Sequence, residues 1–310
     1  MIFNNYTQAI EYLDNGGVAV FNLDKTKLIK ISDMSTSGHL LEPFHYRVPD
    51  GVKIIGRCAF SRITRLTEIS LSDSVETIEG YAFMSCRDLA RINLSKNLKS
   101  IGPGAFLGCS KLTSIKIPDE ITTISKMTFF GCDNLSEVIF PKNLSHIEEN
   151  AFCSCNCLSE ITLPDTVTTI DGAAFNDCKG LSSFSFSTRL TYIKAWSFKG
   201  CTSLHKIVFP SNLKTIGTYA FDSCKSLETI DIPDGTERIG MYAFSDCKNL
   251  KKVILPDSIQ QIWPYAFKNC KKLRSISLPP NLHFYNELAF FGCDNLKPLP
   301  IPSNTKIIKA

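Results

Sequence analysis

The residues best suited to chemistry in this chain are its cysteines. There are 13, and thiolates can ligate zinc, join as disulfides or act as nucleophiles. Ten of them fall at a fixed interval of 23 residues: Cys86, Cys109, Cys132, Cys155, Cys178, Cys201, Cys224, Cys247, Cys270 and Cys293. A repeat that buries one small side chain per copy produces such a row, since free Cys packs as a small hydrophobe. Neighbouring copies would bring Cα atoms within disulfide range, but parallel Cβ vectors suit the bond poorly. An odd total also leaves at least one thiol unpaired. The expectation is a ladder of reduced, structural thiols. The one local cluster, Cys153-Ser-Cys155-Asn-Cys157, lacks the spacers usual between metal-binding cysteines and has no histidine nearby, so no metal is expected there.

The other reactive side chains give no stronger pattern. His39, His45, His146, His205 and His283 are scattered over different repeat positions, and no HExxH, G-x-S-x-G or P-loop motif occurs. Asp119, Asp165, Asp234 and Asp257 recur because Pro-Asp fits a turn. No catalytic residue, metal or cofactor is expected, and the chain is read as a non-enzyme.

The element that would position any site is the repeat itself. Phenylalanine recurs at Phe60, Phe83, Phe106, Phe129, Phe152, Phe175, Phe198, Phe221, Phe244, Phe267 and Phe290, which makes 11 copies without insertion or deletion. Ala precedes each except at Thr128 and Ser197, Leu follows six residues later, and a β-branched or other apolar residue follows nine later. In Leu112-x-x-Ile115-x-Ile117-Pro118 the period-two apolar pair predicts a strand with one buried face, ended by proline. Ile121-x-x-Ile124 predicts a second extended piece returning on the far side, and Ala105-Phe106-x-x-Cys109 a tight helical turn with Phe filling the interior. One such coil has no core of its own, so the copies must stack.

The consensus L-x-x-I-x-I-P-x-x-[VL]-x-x-I-x-x-x-A-F-x-x-C resembles the BspA-like, or Treponema-type, leucine-rich repeats of bacterial and protist proteins. The resemblance covers roughly residues 44 to 310, with Ser at 72, 95 and 187 in place of the strand-ending Pro and Ile63 in place of the first ladder Cys. The expected fold is a repeat solenoid: a curved leucine-rich-repeat rod of 23-residue coils. A parallel β-sheet would line its concave face, with short strands and helical turns on the other side. The resemblance implies a protein-protein interaction or adhesion module, often on the cell surface or secreted, with a host or matrix protein as partner.

Composition agrees with a folded chain: 310 residues, 44% hydrophobic, 21% charged, net charge +4. That charge gives no general case for nucleic acid, and no apolar run is long enough to span a bilayer. The start, Met1-Ile-Phe-Asn-Asn-Tyr, lacks the features of a secretory signal. By residues alone this points to the cytoplasm and an intracellular scaffold, in conflict with the location the resemblance implies, and a cryptic enzyme stands as the distant alternative.

Residues 1–37 fall outside the repeat and are expected to cap the solenoid of residues 38–310. Thr7 to Gly17 reads as a short helix and Val18 to Ser32 as a β-hairpin. At the other end Ser275–Leu278 and Pro298–Ile301 read as the last strands, where Pro298 and Pro300 would blunt further pairing, so a monomer is expected.

Two surfaces are candidates for binding another protein. Outward positions of the main strand include Glu137, Glu160, Lys206 and Lys252 in one row and Ile139, Val208, Asp231 and Ile254 in the next, both rows without aromatics. On the turn side Trp196, Tyr219, Tyr242 and Tyr265 occupy the position two before Phe in four consecutive copies, with Trp263 beside them. They read either as an adhesive stripe or as a shield over the Phe ladder. Lys248, Lys251, Lys252, Lys271, Lys272 and Arg274 form a basic edge, expected to be mainly solvated charge.

Overall fold

The computed structural model describes residues 8–13, 17–33 and 43–308, in two compact units, Met1–Leu144 and Ser145–Ala310. Each unit is a β-solenoid, and one turn of the coil explains why. In the three-residue strands Arg91–Asn93 and Ser114–Lys116 only the middle residue is buried, and its neighbours are exposed. The two-residue strands that follow them, Ser100–Ile101 and Thr123–Ile124, likewise bury one isoleucine each. A slip of one residue would turn every inward side chain to water, so an insertion-free repeat stacks in register.

In the first unit, Phe44–Arg47, Leu66–Ser70 and Arg91–Asn93 form a parallel sheet, and Ser114–Lys116 pairs with Glu137–Ile139. In the second, Glu160–Thr162, Ser183–Ser185 and Lys206–Val208 pair in sequence, as do Thr229–Asp231 and Lys252–Ile254. The returning strands of the second unit form a six-stranded sheet that runs from Tyr192–Ile193 to Lys306–Ile308.

Beside buried Leu and Ile, the interior carries ladders of Phe and Cys. Ring centroids of Phe60, Phe83, Phe106 and Phe129 lie 4.9, 5.3 and 5.5 Å apart. Those of Phe175, Phe198, Phe221, Phe244, Phe267 and Phe290 lie 5.2–5.6 Å apart. All 13 cysteines are free. The ladder thiols donate to the carbonyl of the Phe one turn earlier, as in Cys109 Sγ to Phe83 (3.2 Å) and Cys224 Sγ to Phe198 (3.1 Å). This satisfies a buried donor that alanine would lack. At the two places where Ala is absent before Phe, the buried hydroxyls turn back on their own coil: Thr128 Oγ1 donates to Ser125 O (2.7 Å) and Ser197 Oγ to Lys194 O (2.8 Å).

Three expectations need correction. Residues Gln8–Tyr12 are a strand (β1), not part of a helix; it pairs antiparallel with β2 (Gly17–Asn22), which pairs with β3 (Lys27–Asp33). So short a helix gains little alone, whereas the edge of β2 offers a full ladder. Thr7 and Gly16 lie outside the described residues, as does the boundary expected at 37/38. In turn, β3 pairs parallel with Ile54–Ile55, continuing the row of returning strands.

Except at Phe290, the turn around each Phe is not helical either. Phe83 N–H donates to Ala105 O (2.8 Å) in the next coil, while Ala105 and Leu107 donate to Gly102 and Gly104 within their own coil. Alternate amides therefore bond along the stack, and a continuous helix would leave none for the neighbour. The alternation is made by left-handed residues two before and two after Phe, for example Tyr81 (φ 59°) and Ser85 (φ 59°). Among the described residues a helix closes only at Glu287–Phe290, as a 3₁₀ turn capped by Asn286.

The last strands also differ. Neither 275–278 nor 298–301 is a strand, and Pro298 and Pro300 cannot donate to a ladder. The terminal strand is instead Lys306–Ile308, exposed along its length and free of proline. Blunting by proline therefore gives no reason to expect a monomer.

Candidate functional site

Four turns of the second unit carry an aromatic edge. Trp196, Tyr219, Tyr242 and Tyr265 all sit in the left-handed region, at φ 59°, 55°, 56° and 60°. Such a backbone suits glycine and is costly for a bulky side chain. The rings stack in a file: Trp196–Tyr219 at 6.2 Å, Tyr219–Tyr242 at 4.6 Å and Tyr242–Tyr265 at 4.8 Å, with interplanar angles of 10°, 2° and 15°. Phe291 closes the file edge-on against Tyr265. Lys199 lies 5.0 Å over Tyr219, and Lys268 lies 5.7 and 5.6 Å from Tyr242 and Tyr265, adding cation–π attraction. Desolvation and the adjoining Tyr219 and Tyr265 phenols raise the Tyr242 hydroxyl above its ordinary value.

The opposite end of the file is open. Trp196 is 47% exposed, and in the preceding turn its repeat position holds only Ala173. Trp263 does not join the file. It stands two positions earlier in the repeat, tilts against Phe284 (5.6 Å) and donates to Gln261 Oε1 (3.3 Å). Sequence reasoning missed Tyr192 and Met241, exposed apolar residues of this unit's turn side and returning strands. Their scatter over different repeat positions hid them.

The main-strand candidates are all exposed but do not converge. Glu137 and Ile139 belong to the first unit, the other six to the second. There Val208 stands beside Ser185 and Asp231 beside Ile254, so a charge separates the apolar members.

Among the described residues no group of three or more His, Cys, Asp or Glu could hold a metal, and no helix is long and apolar enough to cross a membrane. The best-formed polar cluster is Asp171, bonded by His146 Nε2 (2.9 Å) and Lys194 Nζ. Burial works to raise the Asp171 carboxyl, but these hydrogen bonds outweigh it and hold it below the usual range. The cluster ties three successive turns together.

The sequence matches the family described as "BspA type Leucine rich repeat region (6 copies)" over residues 44–157, 124–248 and 197–310. The chain belongs to this family. Its fold is similar to that of a leucine rich cell surface protein from Faecalibacterium prausnitzii A2-165 (24% identity, 96% of this chain and 89% of that one, TM-score 0.57). It is also similar to the pneumococcal vaccine antigen PcpA (18% identity, 97% and 93%, TM-score 0.61). A leucine-rich repeat protein from Bacteroides ovatus ATCC 8483 gives 23% identity over 100% and 90%, with TM-score 0.50. At these identities the likeness is one of fold. No curated protein sequence matches the chain. As a BspA-type repeat protein, the chain is a protein-interaction module.

Proposed function

We propose that the chain is a non-enzymatic adhesion module that docks a host or matrix protein on the aromatic edge of Trp196, Tyr219, Tyr242 and Tyr265. The observation that carries this reading is the conflict between backbone and side chain. Four consecutive left-handed positions hold Trp or Tyr where glycine would relieve about 1–2 kcal/mol of strain each. Mutual stacking returns about 0.5–1.5 kcal/mol per pair, so the fold gains little from them. Trp and Tyr are also the residues that dominate binding hot spots. The similar protein from Faecalibacterium prausnitzii is described as a cell surface protein, which supports an adhesive role.

The test is binding of the purified chain to immobilised collagen, fibronectin and laminin, set against the triple variant Trp196→Gly, Tyr219→Gly, Tyr242→Gly. The expected result is binding to at least one of them that falls tenfold or more in the variant, with little change in melting temperature. Binding unaffected by the variant, or none to any of the three, would overturn the proposal.

A further inference from the structure

The aromatic edge leaves the basic edge unexplained. Residues 245–297 hold eight Lys and Arg against four Asp and Glu, an excess equal to the +4 of the whole chain. The repeat concentrates them. Lys251, Arg274 and Lys297 share one repeat position in three successive turns, and Lys297 N–H donates to Arg274 O (3.2 Å). Lys272 and Asn295 share a second position. Lys251, Lys272, Arg274 and Asn295 together line a cavity of about 350 Å³.

Some of the surrounding charge is already neutralised: Lys251 reaches Glu228 (2.8 Å) and Lys271 reaches Asp294 (2.6 Å). Neither carboxylate lines the cavity. Among the described residues no carboxylate lies within ion-pair distance of Lys272 or Arg274, both of which are exposed. Glu228 compensates Lys251 and also feels the charge of Lys272. The net positive charge left at the hollow is therefore that of Lys272 and Arg274 less this share, and the arrangement becomes favourable when an anion enters.

The donor set narrows the anion. The planar guanidinium of Arg274 offers parallel donors that match two oxygens of one group. Asn295, whose Nδ2 donates one N–H to Lys271 O (2.7 Å), has a second amide N–H to add, and the lysines add point charges. No aromatic side chain lines the cavity, so a nucleic acid would find charge but no surface on which to stack its bases.

We propose that this cavity is an oxyanion site that takes carboxylate side chains from an acidic segment of a protein partner. The proposal rests on the reading of the chain as a protein-binding module and adds the chemistry of the segment it binds. The site lies on the main-strand side of the last turns, away from the aromatic file, so the two surfaces can be tested apart.

The experiment measures fluorescence anisotropy of labelled hexaglutamate with the full chain, hexaglutamine as the uncharged control, at two salt concentrations. Hexaglutamate should bind and hexaglutamine should not. Lys272→Gln/Arg274→Gln should weaken hexaglutamate binding tenfold or more and flatten its salt dependence. Arg274→Lys, which keeps the charge and loses the fork, should fall between the two, and it reads the site even if the double variant folds poorly. Equal binding of the two peptides, or wild-type binding by both variants, would overturn the site. A heparin hexasaccharide that binds more tightly than hexaglutamate would overturn the acidic-protein assignment. Hexaglutamate binding that survives Trp196→Gly/Tyr219→Gly/Tyr242→Gly, together with failure on the matrix proteins, sinks the aromatic edge and leaves the cavity standing.

Discussion

The turn edges of the two units share a backbone and differ in what they display. Two residues before Phe, the first unit has Cys58, Tyr81, Gly104 and Met127, at φ 56°, 59°, 61° and 56°. The second has Asn150, Ala173, Trp196, Tyr219, Tyr242 and Tyr265, over nearly the same range of φ. Gly104 is the residue this conformation favours, and with no side chain it leaves room for the Tyr81 ring that lies over it. The backbone therefore does not explain the aromatic series, because the same turn is built in the first unit without it. What the coil requires is confined to the inward positions. The outward edge is free to vary, and it varies toward aromatics in the second unit.

The largest effect should be the one that fails to distinguish the units. Phe83 and Phe221 are fully buried, each stacked between two other Phe rings. Phe83→Ala and Phe221→Ala should each cost about 3–5 kcal/mol through the cavity left behind. Phe290, at 9% exposure and stacked on one side only, should cost clearly less. Urea titrations of the three variants check this. Equal losses at all three would show that stability does not depend on position along the stack.

A second, smaller effect comes from the thiols, which again should behave alike in both units. Burial pushes Cys86 up to about 12 and raises Cys109, Cys132, Cys201, Cys224 and Cys247 as well, chiefly by the same cause. In the unfolded chain a thiol ionises near 8.5. The folded state thus holds protons that the unfolded state gives up. The stabilisation is complete below about pH 8.5 and is lost as pH rises toward the folded values, by about 1.4 kcal/mol per pH unit per thiol. Under reducing conditions stability should fall steeply above pH 8.5, and Cys109→Ala or Cys224→Ala should each reduce the slope by the share of one thiol. A flat profile between pH 8.5 and 10 would contradict the buried ladder. Native labelling should find Cys58 and Cys157, the two exposed thiols, well before the rest.

The Phe, Leu and Cys ladders were legible because a period held over 11 copies leaves no freedom in the fold. The left-handed turns were harder to read. Gly104, Gly108, Gly131, Gly200 and Gly292 mark them, but at most copies another residue stands there. At β1 a helical pattern in a short segment competed with the open edge of β2, and pairing decided the outcome. The aromatic file was visible as a recurring residue type. Its stacking and its open end at Trp196 depend on φ, which composition does not disclose. The basic edge was visible as charge, but the cavity depends on which two rows the coil brings together.

The smallest predicted effect tests the premise of the comparison. If the edge position costs a side chain strain in both units, the two substitutions between Gly and Ala should have opposite signs. Gly104→Ala places a Cβ at φ 61° against the Tyr81 ring and should destabilise the chain by about 1–2 kcal/mol. Ala173→Gly removes a Cβ at φ 57° from a turn that carries no aromatic ring at this position. The relief of about 1–2 kcal/mol is partly offset by about 0.5–1 kcal/mol of extra backbone entropy in the unfolded chain. The net should be a gain of up to about 1 kcal/mol, seen as a small rise in melting temperature. A loss of more than that at Ala173 would mean the left-handed position imposes no cost. Trp196, Tyr219, Tyr242 and Tyr265 could then be retained for the fold alone, and their case as a docking edge would lose its physical basis.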